Sequence, residues 1–224
     1  MKHSTRAYER LREEIVDWKL PPGTHLSELR LAEQFGVSRT PLREALQRLV
    51  GDNLVKVVPG RGAFVTEIAL EDVRHLFQLR EALETYAVRL CARSPRRELF
   101  ADLARDFGHQ HAALAAGTDP ARLDDYYELT ARLDEHIDRV AGNPYLTHAA
   151  LSLRAQLRRL RRIARRSPDR LTRGAEEHAR VCGAVADGDE ERAAELMAAH
   201  IDNALRGILD AMADGVGQLA QGGR

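Results

Sequence analysis

Two short helical patterns lie on either side of a three-residue turn that begins at Gly36. The first pattern follows Ser27, a residue type that often caps helix N-termini, and it places Leu31 and Ala32 on one face. The second begins at Ser38 or Arg39 and repeats apolar side chains at helical spacing, at Leu42, Ala45, Leu46 and Leu49. This arrangement predicts two helices joined by a sharp turn.

The flanking residues supply a further helix and a hairpin. Residues 5–18 repeat apolar side chains at a helical period, and "LPPGTHL" ends that helix because proline cannot continue it. Residues 54–58 and 63–68 are typical of β-strands, and "PGRG" between them is typical of a hairpin turn. Residues 1–68 are therefore predicted to form a winged helix-turn-helix domain.

Only helical patterns follow residue 70. Five breaks interrupt them, at "RSPRR", "AAGTDPA", "AGNPY", "RRSPDR" and "ADGDEE". Five breaks delimit about six helices, which predicts that residues 69–224 form an all-helical antiparallel bundle. The expected fold is therefore mainly α, with an N-terminal winged domain followed by the bundle.

Composition narrows the class of protein. The 34 Lys and Arg residues balance 34 Asp and Glu residues, so a positively charged surface must arise from local clustering. The two cysteines, Cys91 and Cys182, are far apart and form no CxxC motif or disulfide framework. This cysteine usage is typical of a reducing cytoplasm. The charged N-terminus and the absence of an apolar run of 18 residues predict no export signal, no membrane span and no membrane partner.

The start of the third helix has the chemistry of a nucleic-acid contact. Arg39 and Arg43 are four residues apart and share a helical face, and an arginine fork fits guanine O6 and N7 or a phosphate. Arg61 lies between two glycines at the hairpin tip, where the backbone can approach another surface. The alternative is that these arginines are ordinary solvent-exposed side chains. Residues 1–67 contain 11 basic and 9 acidic residues, and this small positive excess supports DNA binding only weakly.

The stretch "LAEQFGVSRTPLREALQRLVGDNLVKVVPGRGAFV" resembles the winged helix-turn-helix of GntR-family transcription regulators. The resemblance implies a double-stranded DNA operator as partner. It implies base or phosphate contacts for Arg39 and Arg43, and phosphate contacts for Ser38 and Thr40. It also implies that the wing touches the minor groove through Arg61 and Gly62.

The remaining two thirds is similar to the FCD ligand-binding domain of the FadR-type branch, in its shorter, VanR-like six-helix form. The matching segments are "LFQLREALETYAVRLCA", "AGNPYL" and "EEHARVCGAVADGDEERAAELMAAH". The resemblance implies a homodimeric regulator, most often a repressor, that binds a pseudo-palindromic operator and senses a small carboxylate. It implies an effector contact for Arg80, and Arg154 is a further candidate, with a surface position as the alternative.

Many members of that branch hold a divalent metal with an Asp and a His four residues apart plus two later histidines. His178 and His200 match the later positions, whereas Thr130 and Asp134 stand where the first Asp and His are expected. Asp134 can replace the imidazole, the register can shift toward His136, or the site can be lost. With Asp134, His178 and His200 as ligands, zinc, nickel or manganese would suit the site. The alternative is that the histidines are hydrogen-bonded polar residues of the bundle core.

A metalloenzyme that uses this Asp/His cluster is the competing function. The sequence has no general base at a motif spacing, no nucleophile elbow, no P-loop and no GxGxxG. These absences favour a ligand-responsive DNA-binding regulator over an enzyme.

Overall fold

The computed structural model describes residues 3–117, 119–164 and 168–221. It divides into two compact units. The first comprises residues 1–69 together with 152–160, and the second comprises residues 70–151 and 161–224. The predicted fold class, a winged helix-turn-helix domain followed by a helical bundle, is confirmed.

The N-terminal part of the first unit contains three helices and a small sheet, to which residues 152–160 of a later helix are added. Its elements are α1 (His3–Val16), β1 (His25–Leu26), α2 (Glu28–Phe35), α3 (Arg39–Gly51), β2 (Val55–Val58) and β3 (Gly62–Val65). The antiparallel sheet has the order β1-β3-β2. The sequence did not predict β1, because two residues are too few for a period-2 pattern. It pairs His25 with Phe64 and Leu26 with Ala63.

Local chemistry explains where the helices of this unit begin and end. Ser27 caps α2 by accepting a hydrogen bond from the Arg30 N–H, and Gly36 ends the helix in the left-handed conformation, at φ 64°. The prediction that α1 extends to Trp18 is wrong. Trp18 has φ 58°, a left-handed conformation that cannot continue the helix.

The predicted apolar stripes form the core of the first unit. Leu42, Leu46 and Leu49 of α3 are buried against Leu11 and Ile15 of α1. The cluster also takes in side chains from α2, from the sheet and from the downstream segment, among them Leu31, Val55, Val65 and Ala155. Burial of such side chains stabilises a fold by about 1.5–3 kcal/mol each.

Residues 152–160 join the first unit through polar contacts as well. The Gln156 side-chain amide donates to the backbone carbonyls of Asp52 (2.9 Å) and Asn53 (3.0 Å), just after α3. Arg159 is only 1% exposed and donates to the hydroxyl (2.9 Å) and the carbonyl (2.6 Å) of Thr66. Burial lowers the pKa of Arg159 to about 10.

The second unit is helical throughout the described residues. Its helices are α4 (Leu70–Arg93), α5 (Leu99–Ala116), α6 (Pro120–Ala141), α7 (Pro144–Ala164), α8 (Pro168–Asp187) and α9 (Glu190–Gln221), with part of α7 contributing to the first unit. The ends of these helices fall at the breaks predicted from the sequence, although residue 118 in "AAGTDPA" and residues 165–167 in "RRSPDR" lie outside the described residues. None of the helices in the described ranges is long and apolar enough to cross a membrane.

Candidate nucleic-acid interface and histidine cluster

The N-terminal end of α3 presents polar groups to solvent. Ser38 occupies the N-cap position with an extended backbone, but its hydroxyl makes no capping hydrogen bond within the described residues. Ser38, Arg39 and Thr40 are exposed, whereas Leu42 is fully buried. Backbone N–H groups and hydroxyls at such a helix start suit phosphate oxygens.

Arg43 lies one turn further along the exposed face of α3. Its Nε donates to Glu28 Oε2 of α2 at 2.7 Å, and the side chains are 64% and 37% exposed. A pair this exposed is worth about 0–1 kcal/mol, so a phosphate or a base edge can compete for the guanidinium.

The wing tip requires glycine and presents one arginine. Gly60 and Gly62 have φ values of 74° and 92°, which L-residues rarely adopt. A Cβ on Gly62 would also lie 3.0 Å from His25 Nε2. Arg61 is exposed between these glycines, with its guanidinium carbon 5.8 Å from the centre of the Phe64 ring. The six predicted DNA contacts are therefore exposed side chains or backbone of the first unit, and their roles stay predictions.

The second unit brings His178 of α8 and His200 of α9 into contact. Their ring centroids are 4.2 Å apart, and the residues are 6% and 4% exposed. His178 stacks on Phe107 with centroids 4.8 Å apart, and its Nδ1 lies 3.4 Å from the Tyr126 hydroxyl. Helices α5, α6, α8 and α9 thus converge on the pair.

Both ring nitrogens of His200 face a polar partner. Nδ1 lies 2.8 Å from Glu177 Oε2, and because a carboxylate only accepts, Nδ1 carries the proton. Nε2 is then the acceptor, and it faces Arg80 Nη2 at 3.4 Å. Arg80 also donates from Nε to Glu84 at 3.0 Å.

The pKa values of both histidines are lowered well below the usual range. Burial is the largest cause for each, because it penalises the charged imidazolium. For His178 the next cause is the neighbouring His200, followed by Arg80. For His200 the guanidinium groups of Arg80 and Arg170 follow. Both rings are therefore neutral at pH 7.

Glu177 organises the other side of this cluster. It accepts from Arg170 Nη2 at 2.6 Å, from His200, and from the Asn203 amide at 2.9 Å. Arg170 is 7% exposed, and within the described residues its Nε and Nη1 have no hydrogen-bond partner. Arg170, Glu177 and Asn203 were not predicted from the sequence. The seven-residue spacing of Arg170 and Glu177, two turns of α8, was the available signal.

Comparison with known families decides the class of protein. Residues 3–65 match the model described as bacterial regulatory proteins, gntR family, and residues 75–203 match the FCD domain. The chain belongs to the GntR family. Its membership and the names of its relatives point to transcriptional regulators and not to enzymes, as the sequence predicted.

Two curated relatives and one solved structure illustrate the similarity of this GntR-family chain. It is 30% identical over 154 residues to the HTH-type transcriptional repressor RspR of Escherichia coli strain K12, covering 69% of this chain and 66% of RspR. It is 30% identical over 199 residues to the Nta operon transcriptional regulator of Aminobacter aminovorans, covering 87% and 89%. The fold resembles E. coli McbR/YncC, with a TM-score of 0.72 at 22% identity, over 94% of this chain and 98% of that chain.

The FCD resemblance implies a metal, and the residues present do not fit one. Among the described residues, no group of three His, Cys, Asp or Glu side chains is arranged to hold a metal ion. Asp134 therefore does not form such a group with His178 and His200 among these residues, and the metal role predicted for the three side chains stays a prediction. Thr130, where the resemblance expects an aspartate, donates its hydroxyl to the carbonyl of Tyr127 at 2.8 Å in its own helix.

The two predicted effector residues fall in different units. Arg80 lies against the histidine pair in the second unit. Arg154 belongs to residues 152–160, which group with the first unit. The predicted effector roles of both residues stay predictions, and the cluster itself is built around Arg80 together with Arg170 and Glu177.

Proposed function

We propose that this GntR-family protein is a ligand-responsive transcriptional repressor that binds DNA through α3 and the wing. The observation that carries the proposal is the exposed polar face of α3, where Ser38, Arg39, Thr40 and Arg43 project opposite the buried leucine stripe. A helix with one exposed polar face and one buried apolar face can enter the major groove while the apolar face stays packed on its own domain.

The finer parts of the proposal rest on the family and on the histidine cluster. Repression is supported by the similarity to RspR, whose name describes a repressor. A carboxylate effector is supported by the buried guanidinium group of Arg170 and the partly buried one of Arg80. A homodimer on a pseudo-palindromic operator would place two recognition helices about 34 Å apart, one helical turn of DNA.

Effector binding would then shift the protein between DNA-competent and DNA-incompetent arrangements. Such a shift requires that the effector binds the two arrangements with different affinities.

DNA binding is tested by fluorescence anisotropy with pseudo-palindromic duplexes from the gene's own promoter. The double variant Arg39→Ala/Arg43→Ala should weaken binding tenfold or more, because each good arginine contact to guanine is worth about 1–3 kcal/mol. The slope of log affinity against log salt should also become shallower.

A matched control removes the same charge elsewhere. The double variant Arg105→Ala/Arg192→Ala deletes two exposed arginines of the second unit and should bind like the parent chain. Equal affinities for the Arg39/Arg43 variant and the parent chain would refute the assigned surface. Sedimentation of the protein with the duplex tests the dimer, which predicts two chains per operator.

A further inference from the structure

Guanidinium groups surround the histidine pair at the place where the FCD resemblance expects a divalent cation. We propose that this cluster is a metal-independent site for a small organic carboxylate, in which Arg80 and Arg170 supply the positive charge. The inference rests on the proposed function, since it defines how the second unit recognises its effector.

His200 has one unprotonated ring nitrogen, Nε2, and an arginine faces it. Metal-binding imidazoles coordinate through an unprotonated nitrogen, and the unprotonated Nε2 of His200 faces Arg80 Nη2 at 3.4 Å. A divalent cation at Nε2 would meet this guanidinium at close range and be repelled by it. Arg80 is held there by Glu84, and its guanidinium carbon lies 5.4 Å from the centre of the Phe77 ring. The guanidinium therefore competes with a metal for the lone pair of Nε2.

Arg170 is a buried cation with unsatisfied hydrogen-bond donors among the described residues. More than nine-tenths of this residue is buried, yet within the described chain its Nε and Nη1 lack hydrogen-bond partners. Unsatisfied donors on a buried cation are costly, and a carboxylate oxygen would satisfy them. Glycines make room for this side chain. A Cβ on Gly207 would lie 3.0 Å from Arg170 Cγ, and one on Gly174 would lie 3.5 Å from Nη1.

The surroundings of the two arginines indicate the class of ligand. Glu177 is already engaged by Arg170, His200 and Asn203, so further donors of Arg170 require an acceptor from outside this network. Aromatic rings adjoin the charged groups, with Phe77 near Arg80 and Phe107 stacked on His178. Charged donors beside apolar rings suit an organic acid with an apolar body better than inorganic phosphate.

The test measures thermal unfolding of the full-length protein after treatment with EDTA. Benzoate and succinate serve as aromatic and aliphatic carboxylate probes, benzamide as the neutral analogue, and inorganic phosphate as the other oxyanion. At least one carboxylate should raise Tm by about 5 °C near a hundredfold excess over Kd. Zinc should add nothing. No shift with either carboxylate, a shift only with phosphate, or a shift that requires zinc would overturn the proposal.

Variants separate binding from folding. Arg170→Met should abolish the carboxylate shift, whereas Arg173→Met, which removes an exposed arginine of the same helix, should keep it. Arg80→Met should also abolish the shift, with the exposed Arg74→Met as its matched control. Retention of the full shift in both Arg170→Met and Arg80→Met would overturn the assignment.

A second measurement does not depend on these variants folding well. Long-range 1H–15N NMR of the parent protein should show His200 protonated at Nδ1 and unchanged on addition of zinc, whereas a zinc-induced shift of Nε2 would contradict the proposal. Anisotropy measurements of DNA binding distinguish failure of the carboxylate site from failure of the proposed regulator function. Intact DNA binding with a zinc-dependent site defeats the inference alone, whereas loss of specific DNA binding defeats the proposed function.

Discussion

At the residue scale, Arg43 has two competing partners. Glu28 holds its guanidinium at 2.7 Å in the unbound protein, and DNA would offer phosphates or base edges to the same group. An exposed ion pair is worth about 0–1 kcal/mol. Glu28 therefore orients the Arg43 side chain but holds it too weakly to prevent a contact with DNA. We therefore expect Glu28 to influence DNA binding through Arg43, a role that was not predicted from the sequence.

We predict that Glu28→Gln binds operator DNA up to about fivefold more tightly, because it releases Arg43 and removes a negative charge near the phosphates. Anisotropy at two salt concentrations measures the effect. Glu33→Gln, on the exposed side of the same helix, makes the same change in charge without touching the pair. Equal gains in the two variants would mean that net charge alone is responsible.

At the scale of single elements, α8 contains two glycines in different surroundings. A Cβ on Gly174 would lie 2.7 Å from the Tyr126 hydroxyl, which itself lies 3.4 Å from His178 Nδ1. A Cβ on Gly183 would meet nothing within 4 Å. Gly174 therefore gives space to the histidine cluster, whereas Gly183 only lowers the helix propensity of α8.

Alanine substitution should separate these two effects. Gly183→Ala should raise the free energy of unfolding by about 0.5–1 kcal/mol, the ordinary gain of alanine over glycine in a helix. In Gly174→Ala the new methyl group would displace Tyr126, and the cost of that displacement should cancel the gain in helix propensity. This variant should therefore unfold at a lower urea concentration than Gly183→Ala. Urea titrations followed by circular dichroism compare them, and equal midpoints would contradict the assigned contact.

How much the sequence predicted depends on how local each signal is. The stripe of α3 and the cap at Gly36 follow from neighbouring residues, so both could be read without coordinates. His178 and His200 were found because each lies in a recognisable segment. Arg170 was missed because its burial depends on packing against Gly207 of another helix, which the sequence does not show. β1 was missed because its two residues are too few to show an alternating pattern.

At the scale of the whole molecule, burial of two neutral histidines makes stability depend on pH. The folded state lowers the pKa of His178 and His200, and the groups facing them include Arg80, Arg170 and Glu177. Above the ordinary value of about 6.5, neither the folded nor the unfolded chain is protonated there. Below it the unfolded chain takes up protons that the folded chain excludes, so stability falls as the pH falls.

We predict that, as the pH falls below about 6.5, each of these two histidines lowers the free energy of unfolding by about 1.4 kcal/mol per pH unit. Urea unfolding at about pH 7.5 and pH 5.5 measures the loss. His178→Phe, which keeps an aromatic ring against Phe107, should reduce the dependence by about half, whereas the exposed His148→Gln should leave it unchanged. An undiminished pH dependence in His178→Phe would contradict the assignment.

The first unit is not continuous in the chain, and this affects its synthesis. Residues 1–69 leave the ribosome long before residues 152–160. Until then the backbone carbonyls of Asp52, Asn53 and Thr66 lack Gln156 and Arg159, and the apolar core lacks Ala155. A nascent chain that already carries α3 and the whole wing therefore still lacks part of the core and of the hydrogen bonds of the first unit. The first unit reaches its final packing only after residues 70–151 of the second unit have been translated.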